Sequence, residues 1–431
     1  MDLTTMVLAL SCIVILAASW TWRRSVFLLP STWILILSSI IYLVPAAIFS
    51  EDVQDMSPFA WKALRYCVLF VDSGLLINLL LVRAPERSTV LPQGVTGDLS
   101  DKPGSTKLTT PLVLLLTILA CITAWYLFNV PLRSTGMYGV LFDPENAAQM
   151  REQSLKLLTN PALQYLYLVG FTCLSPLTLA ILLARSFGLS AARRWLLMGA
   201  TLGFLAFYLL LTGARIGLVN LMAAGVFYGF LRRDLRINVR VLVISILVMV
   251  AVPVAISILR EQGRNDATVI EYVEAIAARV FLLPLLISGW FVEYADTHSP
   301  VGLMQALGLG EHINWTNFIA LEYLGRKEEV TIESVTTPTA FFFSNYLYFG
   351  WLGLVPSLLA LRFIDLPMQQ LHRIPQHLRL PFAATILFFS VVFVQSGFGV
   401  TLLSHGYILL TALVFALRRR TLVSKPLGAR A

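Results

Sequence analysis

Arginines are the residues in this sequence best suited to chemistry. A long interval, 260–338, is too polar to be one membrane span, and it contains Arg260, Arg264 and Arg279. Arg215 lies in the short run TGARIG, where glycine permits a tight turn. A guanidinium group stays charged at any relevant pH and binds phosphate oxygens through paired hydrogen bonds. These four residues therefore indicate a site for an anion such as a diphosphate.

Each of these arginines also has an ordinary structural alternative. Arg215 is able to extend from the end of a span to lipid headgroups. The loop arginines have acidic neighbours in the sequence, namely Glu261, Asp266, Glu271 and Glu274. Taken singly, each loop arginine favours a salt bridge. As a group, together with Arg133 and Arg151 from an earlier polar loop, they favour substrate binding.

Three residues in the same interval are candidates for proton transfer. Glu293 follows the apolar run that ends in SGWF, and His298 and His312 follow in the runs ADTHSP and GEHINW. A carboxylate or a neutral imidazole is able to take a proton from a hydroxyl group. A histidine in a surface loop is the ordinary alternative, so Glu293 and His298 are predicted only as candidates for a general base.

The composition determines the class of protein that carries these residues. Hydrophobic residues make up 57% of the chain, charged residues 13%, and the mean hydropathy is +0.77. Soluble globular domains do not have this composition, so the chain is predicted to be one all-α integral membrane domain over residues 1–431. The net charge of +8 indicates loops that face anionic lipid rather than nucleic acid. The cysteines, Cys12, Cys67, Cys121 and Cys173, lie in apolar runs and are predicted to be packed in the core without a metal or a disulfide.

Apolar runs of span length predict about eleven transmembrane helices, or twelve if residues 280–290 also cross. The predicted spans are 3–22, 26–49, 61–82, 110–128, 161–184, 195–211, 216–231, 239–259, 339–361, 381–396 and 400–417. One face carries Arg23, Arg24, the loops 83–107, 185–194, 232–240 and 362–379, and the tail from Arg418. Together these segments hold 21 of the 32 Lys and Arg residues. Basic loops mark the cytoplasmic side. The N-terminus is therefore predicted outside and the C-terminus inside.

Two large loops lie on the opposite face, 129–160 and 260–338. The run DATVIEYVEAIAARVF predicts an amphipathic helix in the second loop, which we expect to fold as a cap over the bundle. Residues 280–290 contain Pro284 and Gly289 and are short for a span, so a re-entrant or interfacial helix is predicted there. Further along, Tyr346, Tyr348 and Trp351 are predicted to form an interfacial aromatic belt.

These segments resemble the O-antigen polymerases, the Wzy-type polymerases of oligosaccharide repeat units. The similarity lies in the run LLTGARIGLVNLMAAGVFYGF, in Arg279 followed by Pro284, Trp290 and Tyr294, and in NYLYFGWLG ending in Arg362 and Asp365. It covers roughly residues 195–365, and the first half matches in hydropathy alone. Ala214 stands where the family commonly has serine. The family's spacing of arginine and glycine in the outer loops is not reproduced cleanly.

The resemblance implies a metal-independent glycosyltransferase without a cofactor, similar to the membrane-embedded GT-C-like enzymes. Its substrate would be a glycan linked to undecaprenyl diphosphate at the periplasmic face of the bacterial inner membrane, and its partners membrane lipid and a chain-length regulator. Arg215 and Arg279 would hold the diphosphate with help from Arg260 and Arg264, and Glu293 or His298 would be the base. An O-antigen ligase that transfers glycan to lipid A core is an alternative, and a secondary transporter or flippase is an alternative of another class.

Overall fold

The computed structural model describes residues 3–48, 58–85, 108–143, 146, 149–150, 153–154, 157–158, 160–186, 189–213, 216–235, 282–306, 315–324 and 340–418. All regular secondary structure in these ranges is helical, which confirms the all-α class. The helices in chain order are α1 (Leu3–Trp22), α2 (Pro30–Ser38), α3 (Val44–Ile48), α4 (Pro58–Leu80), α5 (Thr109–Asn129), α6 (Gly136–Phe142), α7 (Pro161–Val169), α8 (Ser175–Ser186), α9 (Ala191–Leu210), α10 (Ile216–Arg232), α11 (Leu283–His298), α12 (Leu303–Ala306), α13 (Trp315–Leu324), α14 (Phe341–Phe349), α15 (Leu354–Gln370), α16 (Gln376–Gln395), α17 (Phe398–Leu403) and α18 (Tyr407–Ala416).

Five helical stretches in the described ranges are long and apolar enough to cross a membrane. They are Phe59–Leu80, Thr109–Asn129, Pro161–Ser186, Phe341–Arg373 and Gln376–Gln395. Shorter apolar helices are Leu10–Trp22, Pro30–Ala46, Ile216–Arg232 and Tyr407–Ala416. The predicted span 239–259 and the predicted amphipathic helix 266–281 lie outside the described residues. The count of eleven spans therefore stays a prediction.

Glycines with positive φ interrupt two of the predicted spans. The predicted span 339–361 overlaps the candidate span Phe341–Arg373, but its helix is not continuous. Gly350 has a φ of +58°, and a 3-10 turn, Gly350–Gly353, separates α14 from α15. A Cβ at Gly353 would overlap the carbonyl group of Asn345, so only glycine lets the two helices meet this closely. The span 400–417 is likewise divided, by Gly406 in the left-handed region between α17 and α18.

A π turn, Gly170–Leu174, joins α7 and α8 into one long helical stretch. The turn lies against the break at Gly406, because the hydroxyl group of Thr172 donates to the carbonyl oxygen of His405 at 2.7 Å. It also lies against α9, since the Tyr208 hydroxyl occupies the space above Gly170. Helix irregularities are costly at membrane depth unless a neighbour satisfies the backbone. Here each irregularity contacts a neighbouring element.

A buried polar network joins three helices in the centre of the bundle. Asp365 on α15 is 0% exposed, and its carboxylate accepts hydrogen bonds from the backbone N–H of Ser31 at 3.0 Å and from the Ser31 hydroxyl at 2.8 Å. Asn78 on α4 donates to Ser31 Oγ at 2.9 Å and accepts from Arg362. The Arg362 guanidinium also pairs with Asp365 at 3.3 Å. The predicted cytoplasmic loop 362–379 is thus wrong at its start, because α15 continues to Gln370 and buries Asp365.

A second buried acid links α1 to α4. Asp72 accepts hydrogen bonds from Ser11 and, at 2.8 Å, from the Cys12 thiol. All four cysteines are free, as predicted, but Cys121 is exposed, which corrects its assignment to the core. Cys121 is exposed because it lies on α5, a span of which only 33% is buried.

Asp365→Ala should destabilise the protein by about 3–5 kcal/mol, because it leaves Arg362 without its buried partner. Thermal unfolding of the detergent-solubilised protein measures the loss. The variant Asp365→Asn is a matched control that keeps the acceptor for Ser31 and should lose less. Equal midpoints for wild type and Asp365→Ala would contradict a structural role for the network.

Candidate functional site

Most of the predicted anion site lies outside the described residues. This holds for Arg215, Arg260, Arg264 and Arg279, and also for Arg151 and His312. The predicted bases Glu293 and His298 are described, and so are Arg133, Gly213 and Ile216. The described residues form two groups, one around the turn that precedes Arg215 and one around α11.

The turn before Arg215 is fixed by a contact between glycines. Met137 N donates to Leu211 O at 3.1 Å, which brings the start of α6 onto the end of α9. A Cβ at Gly136 would overlap the carbonyl group of Thr212, and a Cβ at Gly213 would lie 2.8 Å from Gly136 O. Gly213 also has a φ of +68°, which L side chains rarely adopt. The sequence predicted a glycine turn here, but not that the loop after α5 holds it in place.

Tyrosines fill the space near this contact. The Tyr167 hydroxyl donates to Tyr208 O at 3.0 Å, and the Tyr208 hydroxyl donates to Tyr167 O at 2.8 Å. Tyr126 lies against Tyr167 with ring centroids 5.0 Å apart. Gly217, on the other side of Arg215, is in close contact with Phe171. Gly213 and Gly217 therefore both lie against closely packed parts of the bundle.

The second group is built on α11, which begins with Leu283 and Pro284. The predicted short helix at 280–290 is longer in the structure and continues to His298. Pro284 is tolerated because it lies in the first turn, where its missing N–H has no helical partner. Trp290, Tyr294 and His298 follow at intervals of four and share one face.

That face of α11 meets the aromatic side of α13. The rings of Trp290 and Tyr323 stack with centroids 5.7 Å apart, and Tyr294 stacks on His298 at 4.4 Å. Tyr294 also contacts Trp315 and Phe318 on α13. His298 is exposed, and its Nδ1 lies 2.8 Å from the Thr297 hydroxyl. The two helices together form an aromatic group with one imidazole at its edge.

Glu293 lies beside this aromatic group and is half-buried. Partial burial disfavours the ionised carboxylate and raises the pKa of Glu293. Burial, followed by the negative charges of Glu293 and Glu322, raises the pKa of Tyr323 to about 12. Tyr323 therefore remains a neutral phenol able to donate a hydrogen bond. Glu293 therefore stays protonated to a higher pH than an ordinary glutamate.

The opposite face of α11 is held by an ion pair that the sequence did not reveal. Asp296 pairs with Lys62 on α4 and accepts a hydrogen bond from the Tyr346 hydroxyl on α14 at 3.1 Å. Tyr346 is fully buried and packs on Tyr66 with ring centroids 4.8 Å apart, so its ring faces the interior of the bundle. The depth of the aromatic belt in the membrane stays a prediction. In the sequence, the available signal for this ion pair was Lys62, near the start of the apolar run that forms α4.

No described contact joins Glu293 or His298 to the Thr212–Gly213 turn. Among the described residues, no group of three or more His, Cys, Asp or Glu side chains is arranged to hold a metal ion. The structure thus gives a fixed turn next to the predicted diphosphate residue Arg215 and, on other helices, a half-buried carboxylate among aromatic rings.

Comparison with known proteins gives no relative for this chain. No family model matches it, and neither a curated protein nor a solved structure does.

Gly136→Ala should destabilise the protein by about 1–3 kcal/mol, because the new methyl group overlaps the backbone of Thr212. The midpoint of thermal unfolding in detergent measures this effect. Gly199→Ala is a matched control in α9, where a Cβ meets nothing within 4 Å, and it should be neutral or stabilising by up to about 1 kcal/mol. An unchanged midpoint for Gly136→Ala would contradict the tight contact between the two turns.

Proposed function

We propose that this protein is a membrane-embedded glycosyltransferase that polymerises oligosaccharide repeat units carried on undecaprenyl diphosphate. The observation that carries the proposal is Glu293, a half-buried carboxylate with a raised pKa that lies near the stacked rings of Trp290 and Tyr323 and directly before Tyr294 in the chain. Tryptophan and tyrosine rings offer a flat apolar face with a polar edge. Such faces suit the apolar side of a sugar ring, and the carboxylate suits its hydroxyl groups.

In this reaction the acceptor hydroxyl attacks the anomeric carbon of the lipid-linked chain. The new glycosidic bond forms as the bond to the diphosphate breaks, and the hydroxyl proton passes to a base. Glu293 is the proposed base, because its raised pKa makes its carboxylate a better proton acceptor than an ordinary glutamate. His298 is the second candidate, since it lies at the end of the same aromatic face.

The leaving diphosphate needs positive charge as the bond breaks. Arg215 and Arg279 are the proposed ligands, with Arg260 and Arg264 assisting. The support for Arg215 is its position two residues after Gly213, whose backbone is fixed against Gly136. Ligands near a fixed part of the scaffold are positioned more precisely than ligands on loops. The site would face the periplasm if the basic loops mark the cytoplasmic side of the bacterial inner membrane.

A flippase or secondary transporter for the same lipid-linked glycan is a second candidate. It is favoured by the buried acids Asp72 and Asp365 and by the helix breaks at Gly350 and Gly406, because transporters place charges and interrupted helices near the membrane centre. Both acids are, however, hydrogen-bonded to neighbouring helices. This pairing favours a structural role for them and leaves the transferase as the better-supported function.

Glu293→Gln should lower the rate of glycan transfer by about a hundred-fold or more, because the amide cannot accept the proton. Transfer is measured with the purified enzyme and lipid-linked repeat units. In the wild type the rate should rise with pH as Glu293 loses its proton. Because the pKa of Glu293 is raised, the midpoint of this rise should lie above about pH 4.3, the ordinary pKa of a glutamate. Glu322→Gln is the matched control, and a normal rate for Glu293→Gln would contradict the assignment of the base.

Arg215→Ala and Arg279→Ala should leave the protein inserted in the membrane and stop chain growth, because the departing diphosphate loses its counter-charge. The length distribution of the surface glycan in cells measures the effect, and single repeats should accumulate. Normal long chains from both variants would contradict the diphosphate site.

Deletion of the protein separates the remaining functions by the product that accumulates. Single repeats on the cell surface indicate a polymerase. Finished polymer that stays on its lipid carrier indicates a ligase that delivers to lipid A core. Repeat units trapped on the cytoplasmic side indicate a flippase.

A further inference from the structure

The segment 131–142, which follows α5 and contains α6, carries exposed apolar side chains and an exposed arginine. Leu132 is 50% exposed, Leu141 60% and Phe142 70%. Arg133 is exposed as well, and among the described residues no hydrogen bond or ion pair holds its guanidinium group. An apolar group next to an exposed cation is complementary to an anionic lipid, whose phosphate adjoins its acyl chains.

The same segment has an inner face made of glycines. Gly136 and Gly139 are buried, and Gly136 lies directly on Thr212 and Gly213. Thr135 begins the helix, since its hydroxyl accepts from Tyr138 N at 3.2 Å and donates to Leu132 O at 2.7 Å. The helix is therefore attached to the bundle on its glycine side, while Leu141 and Phe142 point away from it.

The position of α5 identifies what those side chains face. Only 33% of this span is buried, and Phe128 near its end is 88% exposed. A helix of membrane-crossing length with so little burial lies at the periphery of the bundle, where the surrounding medium is lipid. The segment that follows it lies at the same periphery. This location favours bulk phospholipid over a substrate held inside the bundle.

We propose that Pro131–Phe142 is a phospholipid-binding surface element, in which Arg133 binds the phosphate of an anionic phospholipid and Leu132, Leu141 and Phe142 enter the acyl boundary. Through the contact between Gly136 and Gly213, this element holds the turn before Arg215 at the depth of the lipid headgroups. The inference does not depend on the chemistry of the transferase, because it concerns lipid binding by the resting protein.

The test is native mass spectrometry of the full-length protein in detergent, titrated with phosphatidylglycerol and, separately, with phosphatidylcholine. The wild type should retain phosphatidylglycerol preferentially. Arg133→Gln should weaken that retention about five-fold, while Arg133→Lys should keep most of it. A double replacement, Leu141→Ser with Phe142→Ser, should weaken the binding of both lipids. Unchanged thermal midpoints show that each variant is folded, as expected for exposed positions.

Two outcomes would overturn the proposal. One is retention of phosphatidylglycerol by Arg133→Gln equal to that of the wild type. The other is displacement of phosphatidylglycerol from the wild type, but not from Arg133→Gln, by an equimolar amount of undecaprenyl diphosphate, which would assign the element to the substrate. Both measurements are made without glycan transfer, so failure of the proposed enzymatic function leaves their outcome unaffected.

Discussion

The bundle depends on a buried carboxylate that is shared between distant parts of the chain. Asp365 binds Ser31 through both its oxygens and pairs with Arg362, which in turn binds Asn78. At membrane depth an unpaired ionised group is very costly, so these partners must stay together once the helices have associated. The network thereby fixes α2, α4 and α15 relative to one another. The surrounding hydrophobic contacts are less specific, because lipid is as apolar as the side chains that it meets.

A contact of the opposite kind organises the other side of the bundle. Gly136 and Gly213 carry no side chains, and the close approach of their backbones depends on that absence. The loop after α5 and the turn after α9 therefore behave as one unit. The exposed segment that contains α6 is thus joined to the turn at Gly213, two residues before the predicted diphosphate residue Arg215.

The helix α11 has two different faces, one fixed by polar contacts and one lined by aromatic rings. Asp296 attaches one face to Lys62 and Tyr346, and this attachment orients the helix. The other face carries Trp290, Tyr294 and His298, with Glu293 beside them. Because Lys62 and Tyr346 fix the opposite face of the helix, the aromatic face has little freedom to reorient. A sugar bound there, as we propose, would meet a preorganised surface.

Composition and the length of its apolar runs were enough to predict an all-α chain and most helix positions, since each helix satisfies its own backbone hydrogen bonds and the apolar runs mark where it lies. The sequence also indicated Glu293, His298 and the glycine turn as candidates, because residue type alone limits which groups bind anions or move protons. The interruption at Gly350, the exposure of Cys121, the burial of Asp365 and the contact of Gly136 with Gly213 were decided by the tertiary structure alone. Each of these features depends on which residues meet across the bundle, and contacts between residues far apart in the chain leave no periodic pattern in a single sequence.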